Sequence, residues 1–308
     1  MKKPIRRFCK ISRFCYSLPM ILLWITSAIW AFSFGLVKNY LGGLDASFVA
    51  FVRLALAALL FLALLRPRRI SAAMTLRLFL IGMVQFGLMY VFYIQAFRFL
   101  AAHQVALFTI FTPIFVALAD DLWEKRWQPL HFWTALLAVI GTFVIVYSGL
   151  GESGLLVGFI LVQASNICFA LGQVFYRRLL PANKNWRDRD GFAWLYLGGA
   201  AAAFLAMVIY PGPRHLQVTS SQLLVLLYLG LLASGVGFFL WNIGATRVSA
   251  GTLAVFNNVK IPLAMLVSLL VFGEHADWLR LIGGGGMMAL AIWLNLRRTA
   301  AAPAHLEK

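Results

Sequence analysis

Apolar residues in this chain come in long runs with few charges. Ten can be read, at 17–37, 46–65, 74–97, 101–119, 129–148, 154–176, 191–210, 222–243, 251–272 and 278–296. Each is long enough to cross roughly 30 Å of hydrocarbon as a helix. The pattern predicts an all-α, polytopic membrane protein of ten transmembrane helices, with loops too short to hold a soluble domain.

Composition agrees. Only 12% of the 308 residues are charged, against about 25% in soluble domains. A net charge of +17 could suggest nucleic acid, but the basic residues sit in the short loops between runs, so nucleic acid is excluded as a partner. Lys2, Lys3, Arg6, Arg7, Lys10 and Arg13 precede the first run; Arg66, Arg68 and Arg69 follow the second; Lys125 and Arg126 follow the fourth. Arg177, Arg178, Lys184, Arg187 and Arg189 follow the sixth, Arg247 the eighth, and Arg297 and Arg298 the tenth. The alternate loops hold only Lys38, Arg98, Arg214 and Arg280. Basic loops face the cytoplasm, so both termini are expected there, in tails 1–16 and 297–308. The first run is too long for a cleaved leader and reads as a signal anchor. Cys9, Cys15 and Cys168 imply no disulfide framework.

The chain also contains itself twice. Displaced by 149 residues, Ala96, Arg98, Ala101 and Pro113 fall on Ala245, Arg247, Ala250 and Pro262, and one residue of slippage brings Glu124 onto Glu274. Residues 17–148 and 154–296 would then be two five-helix repeats. Five is odd, so the second copy enters the membrane from the opposite side, a plan that recurs in secondary transporters.

At "AIWAFSFGLVK", "FVRLALAALL", the Pro113 run ending near Glu124 and the stretch from Pro262 to "LVFGE", the sequence resembles the EamA type of the drug/metabolite transporter superfamily. The resemblance implies ten helices, cytoplasmic termini, and export or exchange of small metabolites, often amino acids, across the bacterial inner membrane. "LWEKR" in the first copy departs from "VFGEH" in the second, which weakens any role carried over to Glu124.

Charges inside the runs point to a site, because they are costly at membrane depth unless they face a cavity or a partner. Lys260 is the tenth residue of its 22-residue run, roughly 13–18 Å from either end, too deep for its stem to reach the surface. Asn257 shares its helix face. Arg53, nearer an end, could snorkel outward. Pro262 and Pro113 cannot donate N–H groups, so the carbonyls of Asn258 and Thr109 should be free acceptors where the two helices break. Phe111 stands where Lys260 stands, which predicts a cavity positive on one wall and aromatic on the other. Trp30, Ser33, Gln85, Tyr90, Tyr93, Gln104, Asn166, Gln173, Trp241 and Asn242 are further polar groups inside runs, each readable as a helix–helix bond or a lining residue. Glycines at 198–199 and 283–286 read as close helix packing.

Asp45, Asp120, Asp121, Glu124, Glu152, Glu274 and Asp277 all lie at or near run ends, and no acidic residue reaches the middle of a run. Lys260 therefore lacks an obvious counter-ion: either it is the free amine, or an anion joins it. The candidate substrate-binding set is Lys260, Asn257, Asn258, Thr109, Trp30, Tyr93 and Arg53, with Pro113 and Pro262 as helix breaks. The expected ligand is a small molecule bearing a carboxylate. Membrane lipid is a further partner, a homodimer is left open, and no cofactor or metal is expected. The alternatives are a drug or cationic-amine exporter of the same fold, and a membrane-embedded lipid enzyme using Asp120 or Asp121.

Overall fold

A main chain inside lipid must satisfy its own N–H and C=O groups, which leaves helices or closed barrels. The computed structural model takes the helical solution. It describes residues 5–67, 70–125, 154–179, 187–209, 216–248 and 250–273, together with Ile282, Gly286, Leu290 and Trp293. In chain order the segments are α1 (Ile5–Leu41), α2 (Ala46–Leu62), α3 (Ala72–Gly82), the π segment π1 (Met83–Leu88) and α4 (Met89–Ala96). Then come α5 (Ala102–Phe108), a 3-10 turn (Thr109–Phe111), α6 (Thr112–Glu124), α7 (Leu155–Leu179) and α8 (Asp188–Ile209). The last are α9 (Ser220–Leu227), the π segment π2 (Tyr228–Val236), α10 (Gly237–Ala245) and α11 (Ala250–Leu270).

Joined end to end, these make six helices long and apolar enough to cross a membrane: Leu18–Leu41, Ala72–Ala96, Ala102–Glu124, Leu155–Leu179, Asp188–Ile209 and Ser220–Ala245. Ala46–Leu62 and Val259–Leu270 are equally apolar but shorter. The expected runs at 129–148 and 278–296 and the tail 297–308 lie outside the described residues, apart from the four isolated positions. One expectation changes. The segment read as an N-terminal tail is helical from Ile5, because no proline or glycine interrupts it between Pro4 and Pro19.

Local chemistry sets the helix starts. The Asp45 carboxylate accepts from the Phe48 N–H at 2.8 Å, and the Ser71 hydroxyl accepts from the Met74 N–H at 3.2 Å. Thr219 and Gln222 form a reciprocal box at the start of α9. Such caps satisfy N–H groups that the helix itself leaves unpaired. Gln104, weighed above as a lining residue, instead accepts from the Ala101 N–H at the start of α5.

The two parts of the chain interleave. Helix α1 packs on α10 and α11, while α7 packs on π1, α4 and α6; α2 packs on α8 and π2, and α5 packs on α11. Helices α3 and α8 approach closely at their glycines. A methyl group at Gly82 or Gly198 would run into the main chain of Leu195 or Phe79, so only glycine allows this crossing. Trp24, Leu59, Leu224 and Leu270 remain exposed on the outside, as expected of a surface that meets lipid.

Candidate functional site

The interleaved helices leave a cavity of about 70 Å³ among α1, α2, α4, the 3-10 turn with the start of α6, α7, α10 and α11. Trp30, Arg53, Tyr93, Thr109 and Lys260 line it, joined by Ser33, Phe34, Met89, Tyr90, Thr112, Ser165, Asn166, Phe169 and Phe238. Two lining residues are cations and none is acidic.

Arg53 does not snorkel. Its side chain is only 1% exposed, because the interior offers polar partners. Its Nε donates to Ser234 Oγ (3.2 Å), its Nη2 donates to Tyr90 Oη (2.6 Å), and its guanidinium lies 4.1 Å from the centre of the Tyr90 ring. Tyr90 Oη and Ser234 Oγ close the triangle at 3.0 Å. Nη1 of Arg53 has no partner among the described residues. Ser234 lies in π2, and its hydroxyl donates to the carbonyl of Leu229. The π turn displaces neighbouring carbonyls too: Tyr196 Oη bonds the carbonyls of Ser234 and Gly235, and Trp30 Nε1 donates to that of Ala233 at 2.8 Å. Wide turns of this kind are frequent at functional sites.

Lys260 is 7% exposed. Its ammonium sits 5.3, 5.6 and 5.9 Å from the ring centres of Trp30, Phe169 and Trp241. Cation–π attraction holds it, and no carboxylate pairs with it among the described residues. The expected two-walled cavity is thus corrected. Phe111 packs with Ile110, Ile114 and Ile261 in a separate apolar cluster, while the rings around the lysine come from α1, α7 and α10.

The prolines also behave differently from each other. Pro113 stands in the first turn of α6, just after the 3-10 turn, where a missing N–H does no harm. The Thr109 carbonyl is not free, however: Thr112 Oγ1 donates to it at 2.7 Å. Asn166 Nδ2 takes the Phe108 carbonyl at 2.9 Å, and Asn166 Oδ1 accepts from Thr112 Oγ1 at 3.2 Å. Pro262 does not break its helix. Helix α11 runs unbroken through it, and the proline ring faces outward, where its bulk meets no packed neighbour. Asn257 is buried, its Oδ1 without a partner among the described residues, off the cavity wall. The Asn258 side chain lies outside the described residues. Tyr93 packs its ring on Phe34, Tyr90 and Phe97.

Hydropathy could not show the wide turns or Ser234. The available signal was small residues inside runs, "QFGL" in one copy and "GLLASGVG" in the other. At the C-terminal ends of α6 and α7, Arg178 Nη2 reaches Asp120 (2.8 Å) and Glu124 (3.2 Å), tying α7 to α6. Asp120, a candidate for lipid chemistry above, is therefore an ion-pair partner.

The EamA-like transporter family model matches residues 17–147 and 156–297. A relative from Pseudomonas aeruginosa called "Probable biotin transporter" is 41% identical over 282 residues, which is 89% of this chain and 96% of its own. The "Biotin transporter" of Escherichia coli strain K12 is 38% identical over 285 residues, 91% of this chain and 94% of its own. A solved crystal structure superposes with a TM-score of 0.65 at 18% identity, over 90% of this chain and 96% of its own, a likeness of fold alone. The family and these relatives are named for transport, which sets aside the lipid-enzyme alternative. With matches over nearly its whole length, the chain belongs to the EamA-like transporter family.

Proposed function

We propose that this protein is a secondary transporter that moves a small carboxylate across the bacterial inner membrane, with biotin as the substrate to test first. The carrying observation is a buried cavity with two cations, Lys260 and Arg53, and no acidic residue on its wall. A carboxylate supplies the missing charge, while Trp30, Phe169 and Tyr93 cover an apolar body. Thr109 offers the opposite wall, and Asn257 is the further candidate on α11. The curated relatives' names favour biotin over the amino acids that the family resemblance suggested; a carboxylate is common to both. The same two cations disfavour a cationic amine.

Alternating access of two inverted five-helix repeats, in a ten-span chain with both termini cytoplasmic, is the proposed mechanism. Two observations support it. Exchange of the halves turns the packing of α1 on α10 and α11 into that of α7 on π1, α4 and α6. Displaced by 149 residues, π1 falls on 232–237, overlapping π2.

The test is exchange of radiolabelled biotin by purified protein in liposomes, in both directions, with unlabelled biotin and amino acids as competitors. Biotin should exchange and compete, and Lys260→Met should slow exchange at least tenfold. No biotin exchange by the parent, or an unaffected Lys260→Met, would end the proposal.

A further inference from the structure

Beside the cavity lies a second group of polar side chains that the account above does not use. Gln85, Gln173, Trp241 and Asn242 are all at most 3% exposed. Gln85 Nε2 donates to Asn242 Oδ1 at 3.2 Å, the one bond of either carboxamide among the described residues. Left without partners among the described residues are Gln85 Oε1, Asn242 Nδ2, both polar atoms of Gln173, and Trp241 Nε1. Flipping both amides of the Gln85–Asn242 pair would leave the same surplus, one donor and one acceptor. The packing also explains why these groups are together. The Gln85 side chain lies directly over Gly172, next to Gln173.

A buried polar atom without a partner is costly, and native proteins hold only a few scattered ones. Five on three packed spans that also bound the cavity are groups kept ready for something absent from this conformation. Their inventory is specific: three N–H donors (Asn242 Nδ2, Gln173 Nε2, Trp241 Nε1) and two carbonyl acceptors (Gln85 Oε1, Gln173 Oε1). A carboxylate or an ammonium uses only one of these kinds. A urea or cyclic amide uses both, since its N–H groups meet the acceptors and its C=O meets the donors.

Trp241 connects this group to the cavity. Its ring lies 5.1 Å from that of Trp30 on the cavity wall and 5.9 Å from the Lys260 ammonium, and its chain neighbour is Asn242. We infer that Gln85, Gln173 and Asn242, with the Trp241 indole N–H, form a second subsite that binds the ureido or amide end of the substrate while Lys260 and Arg53 hold its carboxylate. Displacement of the Trp241 ring joins the subsite to the cavity. This rests on the carboxylate reading of the cavity and sharpens it: the substrate carries a carboxylate at one end and a neutral group that donates and accepts at the other.

The experiment compares the parent, Gln173→Leu and Lys260→Met proteins in liposomes. Three competitors are added against labelled biotin: biotin, desthiobiotin (urea and carboxylate without the ring sulfur) and nonanoate (carboxylate and chain without urea). The parent should prefer both ureas over nonanoate by tenfold or more. Gln173→Leu should weaken biotin and desthiobiotin at least tenfold while leaving the nonanoate inhibition constant within twofold. Its unfolding temperature should be unchanged or raised, since the substitution removes two unpartnered polar atoms. If Gln173→Leu keeps the parent's preference for ureas, or weakens nonanoate as much as biotin, the subsite is overturned. The carboxylate reading then still stands, provided Lys260→Met weakens all three. If the parent exchanges no biotin, both are overturned.

Discussion

Lys260→Met should move stability and transport in opposite directions. The ammonium is 7% exposed, with three aromatic rings around it and no carboxylate paired to it among the described residues. Methionine has nearly the same length and keeps the contacts of the stem. Removing an unpaired buried charge recovers a desolvation penalty of several kcal/mol. Against this, cation–π attraction worth about 2 kcal/mol at a desolvated site is lost. The net expectation is a gain of about 1–3 kcal/mol, or a rise in unfolding temperature of roughly 2–4 °C per kcal/mol. Ligand binding should change the other way. A charge-assisted hydrogen bond contributes about 1.5–3 kcal/mol, so its loss weakens binding about ten- to 150-fold. Thermal unfolding in detergent, with and without biotin, reads both effects. Biotin at a hundred times its dissociation constant should stabilise the parent by about 2.7 kcal/mol, and the variant by only about 0.3–1.4 kcal/mol at the same concentration. A variant that unfolds at lower temperature yet keeps the full biotin shift would show Lys260 to be a structural residue and refute the reasoning.

Other positions give sharper single outcomes. Tyr90→Phe removes the hydroxyl that Arg53 and Ser234 share; stability should fall by about 1–3 kcal/mol, and biotin exchange should fall with it, whereas an exchange rate equal to the parent's would remove Arg53 from the site. Gly198→Leu should force α3 from α8 and destabilise by at least about 1–3 kcal/mol, seen as loss of the monodisperse peak in size-exclusion chromatography; Gly43→Ala, where added bulk meets nothing, should elute as the parent does. Arg178→Gln cuts the partly exposed ties to Asp120 and Glu124, worth about 0–1 kcal/mol, so unfolding temperature should hardly move. Labelling of a cysteine introduced at Leu122 should nonetheless quicken up to about fivefold as the ends of α6 and α7 part, and unchanged labelling would deny that contact any part in closure.

Much of this architecture could be read from the residues because lipid imposes so few solutions. Long runs with few charges marked the spanning helices, and Lys260 and Arg53 stood out because a cation inside such a run needs a reason. Their surroundings were not legible. Whether Arg53 reaches the surface or turns inward depends on Tyr90 and Ser234, which lie 37 and 181 residues away in the chain. The proline pair marked matching places in the two copies, but a proline in a first turn and one within a helix read alike in one dimension. Thr112 decides whether the Thr109 carbonyl is free, and nothing in the spacing said so. The wide turns left almost no trace, since a helix with one surplus residue has the same hydropathy as one without.

That surplus residue has a mechanical consequence. A π turn holds one more residue than the α turn it replaces, and each residue of an α-helix advances the chain by about 100° around its axis. If π2 tightens to the α form, its extra residue must pass along the helix, and one end of the span rotates against the other by about that angle. Ser234 would then swing off Arg53, and the Ala233 carbonyl off Trp30, in a single movement. The slack in the spanning helix and the polar wall of the cavity are one feature, so the helix cannot change its register without changing the site.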